Sequence, residues 1–148
     1  MRTLSEFKKI LQKAFKELEN KHDITSRQNY ACCRSCGIYE IEEERPDSFG
    51  WCFYHMQDAE GLRENGMVYL AFGSANREVI PVGNKIVSVL NKHNIVTEWN
   101  GDPSTRILVY QHELGIKAEA EVGALRRTMA ITETRKTPQE RAKGTVND

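Results

Sequence analysis

A chain of 148 residues with 39% hydrophobic and 28% charged side chains is long enough to bury one self-sufficient core and too short for two ordinary ones. Lys plus Arg and Asp plus Glu balance at 21 each, so the basic excess that a general nucleic-acid binder uses to neutralise phosphates is missing. The opening MRTLSEFKKILQKAFKELENK interleaves charge with its apolar positions, which argues against a signal peptide or a membrane span and points to a cytoplasmic protein.

Within that first segment Leu4, Phe7, Ile10 or Leu11, Ala14, Phe15 and Leu18 recur at three- and four-residue steps, predicting an amphipathic helix over 4–18 that packs on a sheet. After a break at 20–23, the run from Ile24 to Cys32 reads as a strand. A short helix or turn through the cysteines follows, and then the acidic stretch EIEEERPD. GWCFYHMQ, residues 50–57, has the aromatic content of a strand, and MVYLAFG, residues 67–73, reads as its antiparallel partner. Between them DAEGLRENG predicts one or two helical turns, with Asp58 as N-cap and Gly66 as the stop.

Pro81 opens the next predicted helix, which carries Val82, Ile86, Val89, Leu90 and His93 on one side. A second hairpin follows, with strands at 96–99 and 106–110 around Asn100, Gly101, Asp102 and Pro103. From His112 onward Leu114, Ala118, Val122, Leu125 and Met129 predict a last helix, so that residues 112–130 offer a surface for a homodimer. The polar run 133–148 reads as a disordered tail. This order predicts a single α+β domain over 1–132, with a mainly antiparallel sheet of about five strands and helices packed on one face.

The chemistry concentrates in NYACCRSCGIYE, residues 29–40, where three thiols fall within five positions. In a reducing compartment a disulfide framework is not expected, and metal binding or thiol chemistry gains weight. Cys33 and Cys36 form a CxxC, a spacing that lets two thiolates converge on one zinc ion from a tight turn. Cys52 and His55 repeat that spacing, and Cys32 stands in reserve. If 51–57 were a regular strand, however, Cys52 and His55 would point to opposite faces and only one would reach the ion. The same CxxC at a helix start also suits a thiol catalyst, with Cys33 attacking, His55 as base and Cys36 resolving, although the surrounding βαβ order of a thioredoxin-like fold is missing. The bland alternative is that the cysteines are partly core residues and His55 a hydrogen-bonded structural histidine.

A second constellation is polar. Alternation along the predicted strand places His55 and Gln57 on one face, and the loop GSANREVIPVGNK leads into a helix whose first turn carries Lys85 and attracts anions. Trp99 offers a stacking surface and Arg106 a partner for phosphate or carboxylate, set against the plainer roles of core anchor and solvated charge.

The segments ACCRSCGIYEI, FYHMQDAEG, MVYLAFG, VGNKIVSVL and EWNGDPSTRILV, in that order over about residues 29–109, together resemble an uncharacterised bacterial family, a domain of unknown function. Cys32, Cys33, Cys36, Gly37, His55, Gln57, Asp58, Gly73, Trp99 and Gly101 align with positions in its motifs. Cys52 falls where similar proteins have an aliphatic or aromatic residue, so the resemblance weakens a four-cysteine zinc site and favours Cys33, Cys36 and His55 as the metal-binding group to test for zinc. The family supplies no activity. The expected function is a non-enzymatic binding module that captures a small polar or anionic, nucleotide-like ligand or a protein partner through His55, Gln57, Lys85, Trp99 and Arg106. A thiol-dependent enzyme built on Cys33 and Cys36 and a zinc-stabilised interaction subunit are the alternatives. All three readings require the turn after the first strand to lie against the segment bearing His55.

Overall fold

The computed structural model describes residues 2–75 and 78–115. Most of the predicted last helix and of the dimer surface at 112–130, and the whole tail 133–148, lie outside them.

The chain opens with α1, Leu4–His22, whose N-terminus is closed by a capping box between Thr3 and Glu6. Its predicted stripe is the buried one: Phe7, Leu11, Ala14, Phe15 and Leu18 all face the core. Asp23 ends the helix in the left-handed region and then ties the first strand to the second. Its carbonyl accepts from the amides of Phe49 and Gly50, and its carboxylate accepts from Phe49 and Arg45. These bonds place β1, Ile24–Arg27, beside β2, Gly50–Phe53, with Ile24 opposite Gly50. The two strands are parallel, which requires a crossover, and α2, Arg34–Glu44, supplies it.

α3, Met56–Asn65, then leads to β3, Met67–Gly73, which returns antiparallel to β2 as expected. α4, Val79–Lys92, precedes β4, Thr97–Glu98, and β5, Ile107–Tyr110. The sheet order is β1-β2-β3-β5-β4, with every pairing antiparallel except β1 with β2. The described residues thus form an α+β fold on a mostly antiparallel five-stranded sheet.

Strand alternation sorts the side chains into two clusters. Cys52, Val68, Leu70, Phe72, Ile107 and Val109 face α1 and α4 and make the large core, which Ala59 and Leu62 of α3 join. Trp51, Phe53 and Ala71 face the other way and meet Ile41 of α2 in a small second core. Helix cover is therefore heavy on one face, and α2 adds a patch on the other.

Three boundaries differ from the expectation. β1 stops at Arg27 rather than Cys32, because Asn29 and Ala31 take left-handed backbone that no strand continues through. β2 stops at Phe53, because His55 caps α3. α2 carries the short helix or turn expected at the cysteines on into the acidic stretch, as far as Glu44, and neighbouring side chains use its carboxylates. Trp51 Nε1 donates to Glu42 at 3.0 Å, Tyr30 Oη to Glu44 at 2.6 Å and Arg27 Nη2 to Glu44 at 2.6 Å.

α1 and α4 are tied by charge as well as by apolar contact. Glu17 receives Lys92 Nζ at 2.6 Å and lies 2.9 Å from His93 Nε2. The hydrogen bonds from Lys92 and then His93 hold its carboxyl down at about 2, against an ordinary 4.5. A carboxyl lowered in the folded state contributes stability above its unfolded pKa and loses it as pH falls through the folded one. Glu17→Gln is therefore expected to lower the melting temperature at pH 5, to lower it less at pH 3, and to match the parent near pH 2. Thermal unfolding followed by circular dichroism at those pH values checks it, and a difference that persists unchanged at pH 2 would refute it.

Candidate functional site

The turn between β1 and α2 is bent by two residues at positive φ, Asn29 at 51° and Ala31 at 66°. Asn tolerates that region, whereas Ala31 sits there at a cost of about 1–2 kcal/mol. Three bonds to the segment after β2 hold the turn in place: Tyr30 N donates to Tyr54 O at 2.9 Å, Met56 N to Ala31 O at 3.1 Å, and Gln57 Nε2 to Cys32 O at 3.3 Å. The turn therefore lies against the His55 segment, as the sequence readings require.

The bent turn delivers the thiols to the start of α2. Cys33 is the N-cap and Cys36 stands three residues on, the two helix positions whose side chains face each other in a capping box. Cys32 precedes them. The three Sγ atoms all lie within 4.8 Å of one another, and Cys32 Sγ is 3.8 Å from Cys33 Sγ. Three thiols at that separation lie close enough to hold a metal ion. All four cysteines are free; Cys32 and Cys36 are exposed, Cys33 is half-buried and Cys52 is buried.

Their acidities differ for visible reasons. The amide of Cys36 at the helix start, with the thiols of Cys36 and Cys32, holds Cys33 below its ordinary value. The neighbouring thiols of Cys32 and Cys33 push Cys36 up to about 11. Burial pushes Cys52, which donates to Ser26 Oγ at 3.4 Å on the α1 side of the sheet, up to about 12. Alkylation of the native protein with limiting iodoacetamide at pH 7.5 is expected to mark Cys33 before Cys36 and to spare Cys52, read by peptide mass spectrometry. Labelling of Cys52 ahead of Cys33 would contradict this order.

His55 does not join the thiols. It caps α3, where Nδ1 accepts from Asp58 N at 3.3 Å, while His55 N donates to Asp58 Oδ2 at 3.3 Å. With Nδ1 accepting, the ring proton sits on Nε2, which lies 3.1 Å from Asp58 Oδ2. The same carboxylate receives Arg106 Nη1 at 3.3 Å, and the Arg106 guanidinium lies 4.9 Å from the centre of the Tyr69 ring. His55 and Arg106 are thus brought together with Asp58 between them, and Gln57 stands beside them on α3. The predicted face shared by His55 and Gln57 on a strand does not exist, since β2 has ended by then and Gln57 is helical.

Lys85 and Trp99 stand elsewhere. Trp99 packs edge-on to Phe72 at 5.3 Å and over Gly83 of α4, on the large-core side, and its Nε1 donates to Asp102 O. Lys85 is exposed on α4. In the metal set implied by the resemblance, Cys32 takes the place assigned to His55. Asp58, which reads from the sequence as an N-cap, is instead the carboxylate that saturates the neighbouring base and guanidinium. Its signal is the capping-box spacing from His55 to Asp58, which is easily missed because histidine is not among the usual caps.

Fold and site together define a small α+β domain that presents a cluster of three surface thiols at a helix start. The chain belongs to the family described as Domain of unknown function (DUF6891), whose profile matches residues 8–114. No curated protein and no solved structure matches it. Among the described residues no helix is long and apolar enough to cross a membrane.

Proposed function

We propose that this domain is a non-enzymatic binding module whose ligand is a thiophilic metal ion held by Cys32, Cys33 and Cys36. The observation that carries the reading is the convergence of three Sγ atoms within 4.8 Å on accessible surface. Free cysteine is ordinarily among the most buried residue types, and Cys52 behaves in that way. Three others gathered at one exposed point call for a separate reason. The amide of Cys36 at the positive end of α2 favours the thiolate of Cys33, one of the donors that a metal needs. Gln57 reaches the thiol turn through its bond to Cys32 O, and the internal pairing of the His55–Asp58–Arg106 group argues against a general base there.

Anaerobic titration of the reduced protein is expected to show one metal ion bound per chain, with a thiolate-to-metal absorption band. Cys33→Ser and Cys36→Ser remove the binding, and Cys52→Ser retains it. A protein that takes up no thiophilic ion under those conditions ends the proposal.

A second reading has one observation of its own: Cys33 is held below and Cys36 above the ordinary thiol range within a CxxC at a helix start. In that reading the Cys33 thiolate attacks a disulfide substrate and expels one substrate thiolate. Cys36 then attacks the mixed disulfide, leaving Cys33–Cys36 oxidised and the substrate reduced. Exchange with glutathione disulfide no faster than that of free cysteine would dismiss it.

A further inference from the structure

We infer that the bound ion is one whose coordination is complete with three thiolates, monovalent copper, and that zinc is not the ion this site is built for. This inference rests on the metal-binding reading above and specifies its ligand.

The donor count is the first argument. Among the described residues the group comprises Cys32, Cys33 and Cys36, with no histidine or carboxylate within reach of all three. The remaining thiol, Cys52, is wholly buried on the far side of the sheet and bonded to Ser26. His55, on the segment that is hydrogen-bonded to the thiol turn, is engaged by Asp58 through both ring nitrogens. A structural zinc site closes with four protein donors, so zinc here would need water in the fourth position. Monovalent copper is soft, and thiolate sulfur is the donor it prefers.

Geometry is the second argument. Three sulfurs about 2.3 Å from one ion stand about 4 Å apart, in a three-coordinate or a four-coordinate shell alike, so the spacing bears on whether an ion fits and the donor count on which ion it is. Cys32 and Cys33 are already at 3.8 Å, and the whole set lies within 4.8 Å.

The third argument separates cargo from staple. The thiol turn is already fixed by the hydrogen bonds from Tyr30, Met56 and Gln57, and α2 is already seated, with Gly37 against the Phe53 ring. Nothing in the local fold waits for a metal. An exposed ion on a pre-formed scaffold is accessible to an exchanging thiol, which suits capture and release rather than structural closure.

The test uses the full-length reduced chain, titrated anaerobically with copper(I) buffered by bathocuproine disulfonate and, separately, with zinc(II). X-ray absorption is recorded on each loaded form. The expected copper form has one ion per chain and a first shell of three sulfurs with no nitrogen or oxygen. Cys32→Ser lowers copper affinity about 100-fold, as do Cys33→Ser and Cys36→Ser, because each removes a third of the shell. Cys52→Ser leaves it unchanged. Cys32 and Cys36 are exposed, so their serine variants are expected to keep the parent melting temperature, which separates lost binding from lost folding.

A zinc form with four protein donors, or a copper shell indifferent to Cys32→Ser, overturns this inference while leaving the metal-binding reading standing. Failure to bind either ion overturns both.

Discussion

Phe53→Ala is expected to lower the unfolding free energy by about 3–5 kcal/mol and, in the same protein, to abolish stoichiometric metal binding. Phe53 is wholly buried, and it is the floor on which α2 rests. Its ring lies 5.7 Å from that of Tyr30 and 5.7 Å from that of Trp51, and it presses on Gly37 so closely that a Cβ there would stand 2.4 Å from Cε1. Among the described residues the second core holds Ile41, Trp51, Phe53 and Ala71 as buried residues, so it has few neighbours able to close over a cavity. Since α2 buries only Gly37 and Ile41, losing the ring removes most of what holds the thiol-bearing helix to the sheet.

The reverse change tests the same contact. Gly37→Ala overpacks the site at a cost of about 1–3 kcal/mol. Combined with Phe53→Leu, it should cost less than the two separate effects added together, because the smaller side chain makes room for the new methyl. Urea denaturation of the four proteins measures this, and strict additivity would show that α2 is held in some other way.

The same contact explains which elements are legible in the residues and which are not. α1 and α4 are long helices whose apolar stripes repeat over several turns, so Phe7 to Leu18 and Val82 to Leu90 declare themselves. β3 shows its seven residues in full because aromatic and branched side chains run between two glycines. α2 carries no such stripe, since a glycine and one isoleucine make its whole buried face and its glutamates receive bonds from Trp51, Tyr30 and Arg27. Local composition then supports only a short helix or turn where tertiary partners extend the helix to Glu44.

The site divides in the same way. A CxxC at a helix start is a short-range arrangement, legible from spacing, and so is the proximity of Cys32. The partner of His55 is equally local, but that histidine sits in an aromatic run that reads as strand, and strand geometry assigns it to a face rather than to a cap. Trp99 and Lys85 leave the polar constellation only once tertiary partners are known, because Trp99 packs on Phe72 and Arg106 lies over Tyr69, side chains that alternate to opposite faces of β3.

Asp58→Asn is expected to cost about 2–3 kcal/mol of stability, more than a surface ion pair would account for. The Asp58 carboxylate has 14% of its side-chain area exposed and serves the His55 amide, the His55 ring and Arg106 at once. Asparagine preserves the shape and removes the charge, leaving the Arg106 guanidinium over the Tyr69 ring without its anion. Arg106→Met alone should cost less, since it leaves the His55 cap intact. The double variant should show a coupling of about 1–2 kcal/mol between the two positions, which urea unfolding of all four proteins measures. The same Asp58→Asn protein bears on the thiols. His55 then keeps its bond from the backbone amide of residue 58 but loses its anionic partner, and the three-sulfur shell gives it no place to fill, so copper(I) affinity should stay within about threefold of the parent while stability falls. A metal affinity that rises or collapses in a protein that still folds would mean that the imidazole, and not Cys32, completes the site.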